Sequence, residues 1–348
     1  MEMTRREAMK LLSIGAVGSA VGGTAFLRAE AAESRILTVN MVDNAVGIHI
    51  PGNAAILEVL PSMPGYGIPK MVRLAHHLIQ VQTLIAGKAD FANPDPLTLF
   101  RAAEAGNDVR VIGNFTVGDD MDLVVNADLV QSLADLAKPD IVVGVSDLGD
   151  AATHVVMVGP LLKRGIDLKK VTIVAIGGSS ARMRGLLSKR IHAGVLHHDQ
   201  AVEMVKQGNF KILLEPGKDY GVWLDQVWAA SGPWLQKAEN QRVAVDFMKA
   251  TIIAFRRATN DFGWYAAMFR KYSTIPKAAE VTDETLRPIW QKLAHDIKVW
   301  PASNNFTVQS YRDLMPVFIA AGAIKGTVKL EQVVDTSYVE QALKELGG

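Results

Sequence analysis

Two periods of apolar spacing take turns along this chain. "RILTVNMV" (residues 35–42) alternates like a half-buried strand, with Ile36, Thr38 and Asn40 opposite Leu37, Val39 and Met41. Residues 43–70 are broken by Pro51, Pro61, Pro64 and Pro69, which leaves space for at most one short helix, near residues 53–60. "MVRLAHH" (71–77) reads as a second strand. "LIQVQTLIAGK" then puts Leu78, Val81, Leu84 and Ile85 on one helical face, and Gly87 falls where a helix end needs positive φ. From there helices and strands alternate. "PLTLFRAAEAG", "VQSLADLA", "ATHVVMVGPLLKRG", "SSARMRGLLSK" and "DQAVEMVKQG" are predicted helices. "ADFAN", "VRVIGNF", "MDLVVN", "DIVVGVS", "KVTIVAI", "IHAGVLH" and "FKILLEP" are predicted strands. Strands parted by helices make parallel sheets with covered faces, so the expected class is α/β. Past "VWLDQVWAAS" (222–231) the pattern becomes mainly helical, with Val243, Phe247, Ile252 and Phe255 at helical spacing.

One template is written twice. "LIAGKADFAN" (84–93) and "LLSKRIHAGV" (186–195) each predict a helix end, a tight turn and a strand, followed by the polar loops "NPDP" and "HHDQ". Ligands of open α/β sheets bind beyond the carboxyl ends of strands, so two such units would offer two loop sets to one cleft.

Composition narrows the function. With 348 residues, 49% of them hydrophobic, the chain can build two cores. Its net charge of +1, with no basic run longer than "RR" or "KR", argues against nucleic acid as a partner. The absence of cysteine excludes disulfides, thiol nucleophiles and Cys-based metal sites. Neither a G-x-S-x-G elbow nor an H-E-x-x-H helix is present. Residues 1–31 read as a cleaved export signal: Arg5 and Arg6, preceded by Thr4 and followed by Lys10, resemble a twin-arginine motif, and small residues at Ala29 and Ala31 suit a signal peptidase. Ala8 and Met9 depart from that motif, which leaves general secretion open, and an uncleaved anchor is the rival reading. Without residues 1–31 the chain carries 33 charges of each sign. The expected location is the periplasm.

The segments "VQTLIAGKADFAN", "AAEAGNDVRVIGNF", "SLADLAKPDIVVGVSD" and "LLKRGIDLKKVTIVAIGGSSARMRGLLSKRIHAGVL" resemble periplasmic solute-binding proteins of ABC importers. The group is the one with sulfonate-, taurine-, nitrate- and thiamine-precursor-binding members. The likeness runs from about Val81 to Leu346. It departs at Lys189 and His192, where Gly and Asp are usual, and across residues 44–70. The resemblance implies a two-lobed periplasmic-binding-protein (type II) fold, each lobe a mixed, mostly parallel sheet flanked by helices, with a helical C-terminal region. Lobe 1 would hold residues 35–120 plus 223–348 and lobe 2 residues 121–222, hinged at crossover strands near "MDLVVN" and "DQVWAA". It implies a monomer that captures a small polar or anionic organic ligand of the sulfonate, carboxylate, nitrate or pyrimidine class and delivers it to ABC permease subunits. No cofactor, metal or catalysis is implied. The alternatives are an exported enzyme on the same fold and a ligand-sensing subunit for a membrane receptor.

Several residues are candidates for ligand contact. Asn93 and Asp95 sit at a strand–helix junction, where turn and helix capping is the rival role. Asn114 and Phe115 follow a strand, with core packing the rival for Phe115. The stretch "SDLGDAATH" leads Asp147, Asp150 and Thr153 into a helix whose free N–H groups suit an oxyanion, unless an Asp caps it. "IGGSSARMR" repeats that shape with Gly178, Ser179, Ser180 and Arg182, Arg182 being either an anion partner or a solvated residue. His197 and His198 would point to opposite faces, so one of them is expected to face the cleft, as is one of His76 and His77. Trp223 and Trp228 either stack on ligand or fill the core. Asp119, Asp120 and Asp122 read as a solvated loop.

Overall fold

A computed structural model describes residues 34–43, 45–220, 223–303 and 306–347. The expected export signal lies outside the described residues. Residues 34–348 form one compact unit. Among the described residues, no helix is long and apolar enough to cross a membrane.

Ten strands form two sheets. In chain order they are β1 (Thr38–Val42), β2 (Lys70–Leu74), β3 (Phe91–Ala92), β4 (Val109–Val117), β5 (Met121–Asn126), β6 (Val142–Val145), β7 (Thr172–Ala175), β8 (Ala193–His197), β9 (Phe210–Leu214) and β10 (Leu224–Ser231). The first sheet has the order β2-β1-β3-β10-β4 and the second β7-β6-β8-β5-β9. In the first, β10 runs antiparallel to both its neighbours, and in the second β5 does the same. The other four strands of each sheet share one direction. Each sheet is therefore mixed and mostly parallel, and its antiparallel strand is the one that arrives from the other sheet. The chain crosses between sheets twice, from β4 to β5 and from β9 to β10.

Burial explains the strands. Along β5, Leu123 and Val125 join one apolar cluster with Val143, Val145 and Val195, while Val124 joins another with Leu186, Ile191 and Leu196. A period of two feeds both faces, as a sheet covered on both sides requires. The larger core lies on the first sheet, where Phe91, Phe115, Trp228, Phe247 and Phe255 pack edge to face or stacked. The helix Ala238–Asn260 supplies Val243, Phe247, Ile252 and Phe255 to it, as their spacing predicts.

Four expectations need correction. The proline-broken region is helical from Gly47–His49 through Ile50–Ala54 and Ala55–Val59 to Leu60–Ser62. Pro51 sits in a first turn, where its missing N–H costs nothing. Gly52 lets this helix lie on Phe115, since a Cβ there would stand 2.0 Å from the ring. The helix His77–Ile85 begins inside the stretch read as a strand and buries His77, Gln80, Val81 and Leu84, leaving Leu78 and Ile85 exposed. "VQSLADLA" yields only a 3₁₀ turn, Leu133–Ala137.

Candidate functional site

The carboxyl ends of β1 and β3 from one sheet meet those of β6, β7 and β8 from the other. Between them lies a cavity of about 30 Å³, lined in part by Asp43, His49, His77, Asp150, Arg182 and His197. That volume admits roughly two waters. The sheets are closed on each other by direct bonds: His76 Nδ1 to Asp147 at 2.9 Å, Arg101 to the Gly149 carbonyl at 2.8 Å, and Gly47 N–H to Asp199 at 2.8 Å.

Three helix N-termini point into this region, and each meets a carboxylate of the protein itself. Asp95 caps Pro96–Glu104, accepting the N–H groups of Leu97 (2.9 Å) and Thr98 (3.1 Å), and its Oδ1 also accepts Ala151 N–H from the opposite sheet at 3.0 Å. Asp150 caps the helical turn Ala151–Val155 through Thr153 N–H (3.2 Å) and His154 N–H (2.7 Å). Asp43 lies against Gly178 at the start of Ser179–Leu187, where a Cβ would stand 2.6 Å from its carboxylate. Burial, and after it Asp95, pushes Asp150 up to about 6. Carboxylates stand at the positive ends of the helices, in a lining that also holds Arg182 and His197.

A relay of amides fixes one donor in the cavity. Val42 N–H donates to Asn93 Oδ1 (3.1 Å), Asn93 Nδ2 donates to Gln226 Oε1 (2.8 Å), and Gln226 Nε2 lies 3.2 Å from His49 Nε2. A backbone N–H only donates, so each amide is oriented in turn and His49 Nε2 must accept. The proton of His49 is therefore on Nδ1, which has no partner among the described residues. Burial, then His197, holds His49 well below the ordinary histidine range, so the ring is neutral.

Beside it the charges are paired. His197 meets His49 edge-on at 5.0 Å and holds Asp120 at 2.9 Å. Burial opposes its charge most strongly, but Asp120, Asp199 and Asp225 together raise its pKa. His198 holds Asp122 at 2.7 Å. Asp225 accepts from Thr116 Oγ1 at 2.8 Å, and burial, with Asp120 next, pushes it up to about 7. Arg182 is 2% exposed, bonded through Nε to the Val195 carbonyl at 2.6 Å and through its guanidinium to that of Gly177. Burial lowers it to about 10, which leaves it charged.

The structure sorts the predicted residues. Asp150, Thr153, Gly178, Ser179, Arg182 and His197 line the cavity. Asn93 and Asp95 stand behind it, and Asp147 is engaged by His76. Ser180 and His198 lie in helix first turns outside it. Asn114 accepts from Tyr311 Oη in the first core, and Phe115 stacks on His49 and meets Trp228 edge-on; neither is among the residues lining the cavity. Both tryptophans, Trp223 and Trp228, are buried. Asp119, Asp120 and Asp122 are buried and not a solvated loop, because the crossing from β4 to β5 runs between the sheets. Sequence reasoning passed over Asp43, His49 and Gln226. Asp43 was within reach of the rule used for the others, since it follows β1 at its carboxyl end. Among the described residues, no group of three or more His, Asp or Glu is placed to hold a metal ion.

Two mixed sheets joined by two crossings, with a cleft at their carboxyl edges, define the periplasmic-binding-protein fold. The family model described as NMT1/THI5 like matches residues 71–261, more than half of the chain, and the chain belongs to that family. No curated protein matches it in sequence. Solved structures share the fold at low identity. The ligand-binding component of an ABC-type import system from Staphylococcus aureus, with zinc bound, is 11% identical with a TM-score of 0.70 over 89% of this chain and 99% of its own. The alkanesulfonate-binding protein SsuA from Xanthomonas axonopodis pv. citri, bound to MOPS, is 15% identical with a TM-score of 0.67 over 88% and 100%. The periplasmic nitrate-binding protein NrtA from Synechocystis PCC 6803 is 12% identical with a TM-score of 0.71 over 91% and 90%.

Proposed function

We propose that this protein is the periplasmic substrate-binding component of an ABC importer. It would take a small polar ligand into the cleft between two lobes, residues 35–120 with 223–348 and residues 121–222, and pass it unaltered to membrane permease subunits. The fold supports the role, as do the two crossings that would let the lobes hinge. Among sulfonates, carboxylates, nitrate and pyrimidines, the geometry favours a neutral or cationic nitrogen compound, pyrimidine-like, over a sulfonate or nitrate. The observation that carries this is that Asp95 and Asp150 cap two of the three helix N-termini and Asp43 lies against the third. A ligand anion would meet carboxylates there, while the guanidinium in the lining, Arg182, already gives N–H groups to the Val195 and Gly177 carbonyls. Amino groups would find acceptors, and His49 Nδ1–H would donate to a ring nitrogen or carbonyl.

Thermal unfolding with a ligand panel tests both levels. A ligand at a hundred times its Kd adds ~2.7 kcal/mol, a rise of roughly 5 °C for a chain of this size. Aminopyrimidines or other basic heterocycles are expected to give that rise and be recovered intact, with taurine, alkanesulfonates and nitrate silent. A sulfonate hit would refute the charge reading and keep the binding role. A chemically altered ligand would refute the role itself.

A further inference from the structure

A second cavity, of about 460 Å³, lies where both crossings pass, walled by residues 118–119 and 121–122, by Glu215, Gly217, Lys218, Tyr220 and Trp223, and by the turn Lys292–Ile297. Met121 is the one residue it shares with the wall of the cleft cavity. Its size is that of a small-ligand pocket. Two of its buried polar groups have no hydrogen-bond partner among the described residues: Asp119 Oδ2, on a residue 8% exposed, and Trp223 Nε1, on a residue 1% exposed. Orphaned buried groups of this kind cost free energy unless something fills them.

The charges around the cavity state what that something is. Glu215 holds Lys218 at 2.8 Å and Lys292 at 3.2 Å, so the two lysines share one carboxylate. Asp122 is held by His198. Asp119 and Asp296 have no ion-pair partner among the described residues. Tyr220 and Ile297 supply half-buried apolar wall.

We infer that this cavity is a second binding site, separate from the cleft, for a small organic cation: a primary ammonium on an apolar body, its N–H groups donating to Asp119 and Asp296 and its body lying against Tyr220 and Ile297. A hydrogen-bond acceptor on the same molecule would take the Trp223 indole N–H. Burial first, and Asp120 next, holds the Asp119 carboxyl well above the usual range, the behaviour of an acid with no cation beside it. Because both crossings form its walls, occupancy would bear on how the two sheets move against each other.

The test uses three small probes of similar size and different charge: 2-phenylethylammonium, 2-phenylethanol and phenylacetate. The readout is the indole ¹⁵N–H resonance of Trp223, assigned with Trp223→Phe, against those of the other tryptophans. The ammonium is expected to give a saturable shift at Trp223 that the alcohol and the carboxylate do not. Asp119→Asn is expected to weaken it at least tenfold and Asp296→Asn, at the exposed rim, about threefold. No saturable shift, an equal response to all three probes, or unchanged affinity in Asp119→Asn would overturn the site. Where circular dichroism shows Asp119→Asn unfolded, Asp296→Asn decides in its place.

Discussion

Burial makes the carboxyl groups between the sheets reluctant to ionise, and that sets how single residues respond to pH. Asp225 is pushed up to about 7, by burial and then Asp120, and Asp150 to about 6, by burial and then Asp95. An unfolded Asp titrates near about 3.9, so above that pH the native state keeps protons that the unfolded state has released. Their contribution to stability is whole below roughly pH 4 and is lost as pH rises through about 6 and then about 7. Asp225→Asn still accepts from Thr116 Oγ1 and has no charge to develop. It is expected to raise Tm at pH 8 by several degrees, on the order of 2 kcal/mol, and to leave Tm at pH 4 nearly unchanged. A variant no more stable than the parent at pH 8 would show that solvent or a cation already satisfies Asp225.

At the scale of elements, one side chain serves two. Asp95 caps its own helix and also holds Ala151 N–H at the start of the opposing turn. Asp95→Ala removes a cap, about 1 kcal/mol, and strands a buried N–H, about 1–3 kcal/mol more. Urea unfolding should therefore show a loss near 3 kcal/mol, with Asp95→Asn losing less than half of that because its amide oxygen still accepts. Equal losses in the two variants would mean that the charge matters more than the acceptor. The second copy of the repeated template shows how an element tolerates departures. Lys189 holds φ at 58° where glycine is usual, and His192 accepts Val142 N–H at 3.1 Å where an aspartate is usual. The turn survives because its backbone bonds and a surrogate acceptor outweigh a left-handed lysine, a strain of about 1–2 kcal/mol.

For the whole molecule, closure rests on a few bonds between the sheets, among them Gly47 to Asp199 and His76 to Asp147. Removing both, in His76→Ala with Asp199→Ala, takes nothing from either sheet's own ladder. Small-angle scattering of the double variant without ligand should show a larger radius of gyration than the parent, with far-UV circular dichroism unchanged. Its Kd for the cleft ligand should rise about tenfold, since part of the binding energy is then spent on closing, ~1.4 kcal/mol. Unchanged scattering would mean that packing at the crossings, and not these bonds, holds the sheets together.

Much of this was legible along the chain. The alternation of strands and helices, the doubled template and the late helical region follow from periodicities of two and 3.6, which depend only on neighbours in sequence. So did several cavity residues, because a loop leaving a strand's carboxyl end is marked locally by Asp, Gly and Ser, as at Asp150, Gly178 and Ser179. What no local pattern carries is which loops face each other. Asp95 read as a ligand contact or a cap and Asp150 as part of an oxyanion site or its cap, and only their meeting across the cleft, with Asp43 arriving from β1 at the third helix, set carboxylates at the helix N-termini where an oxyanion was one expectation. The same holds for Asp119, Asp120 and Asp122, polar in sequence and buried in fact, because the crossing they lie on is enclosed by a sheet and a helical turn more than ninety residues away. Sequence determined the elements, through short-range geometry. The tertiary fold decided their charge environment, because burial and electrostatic neighbours are properties of contacts between distant segments.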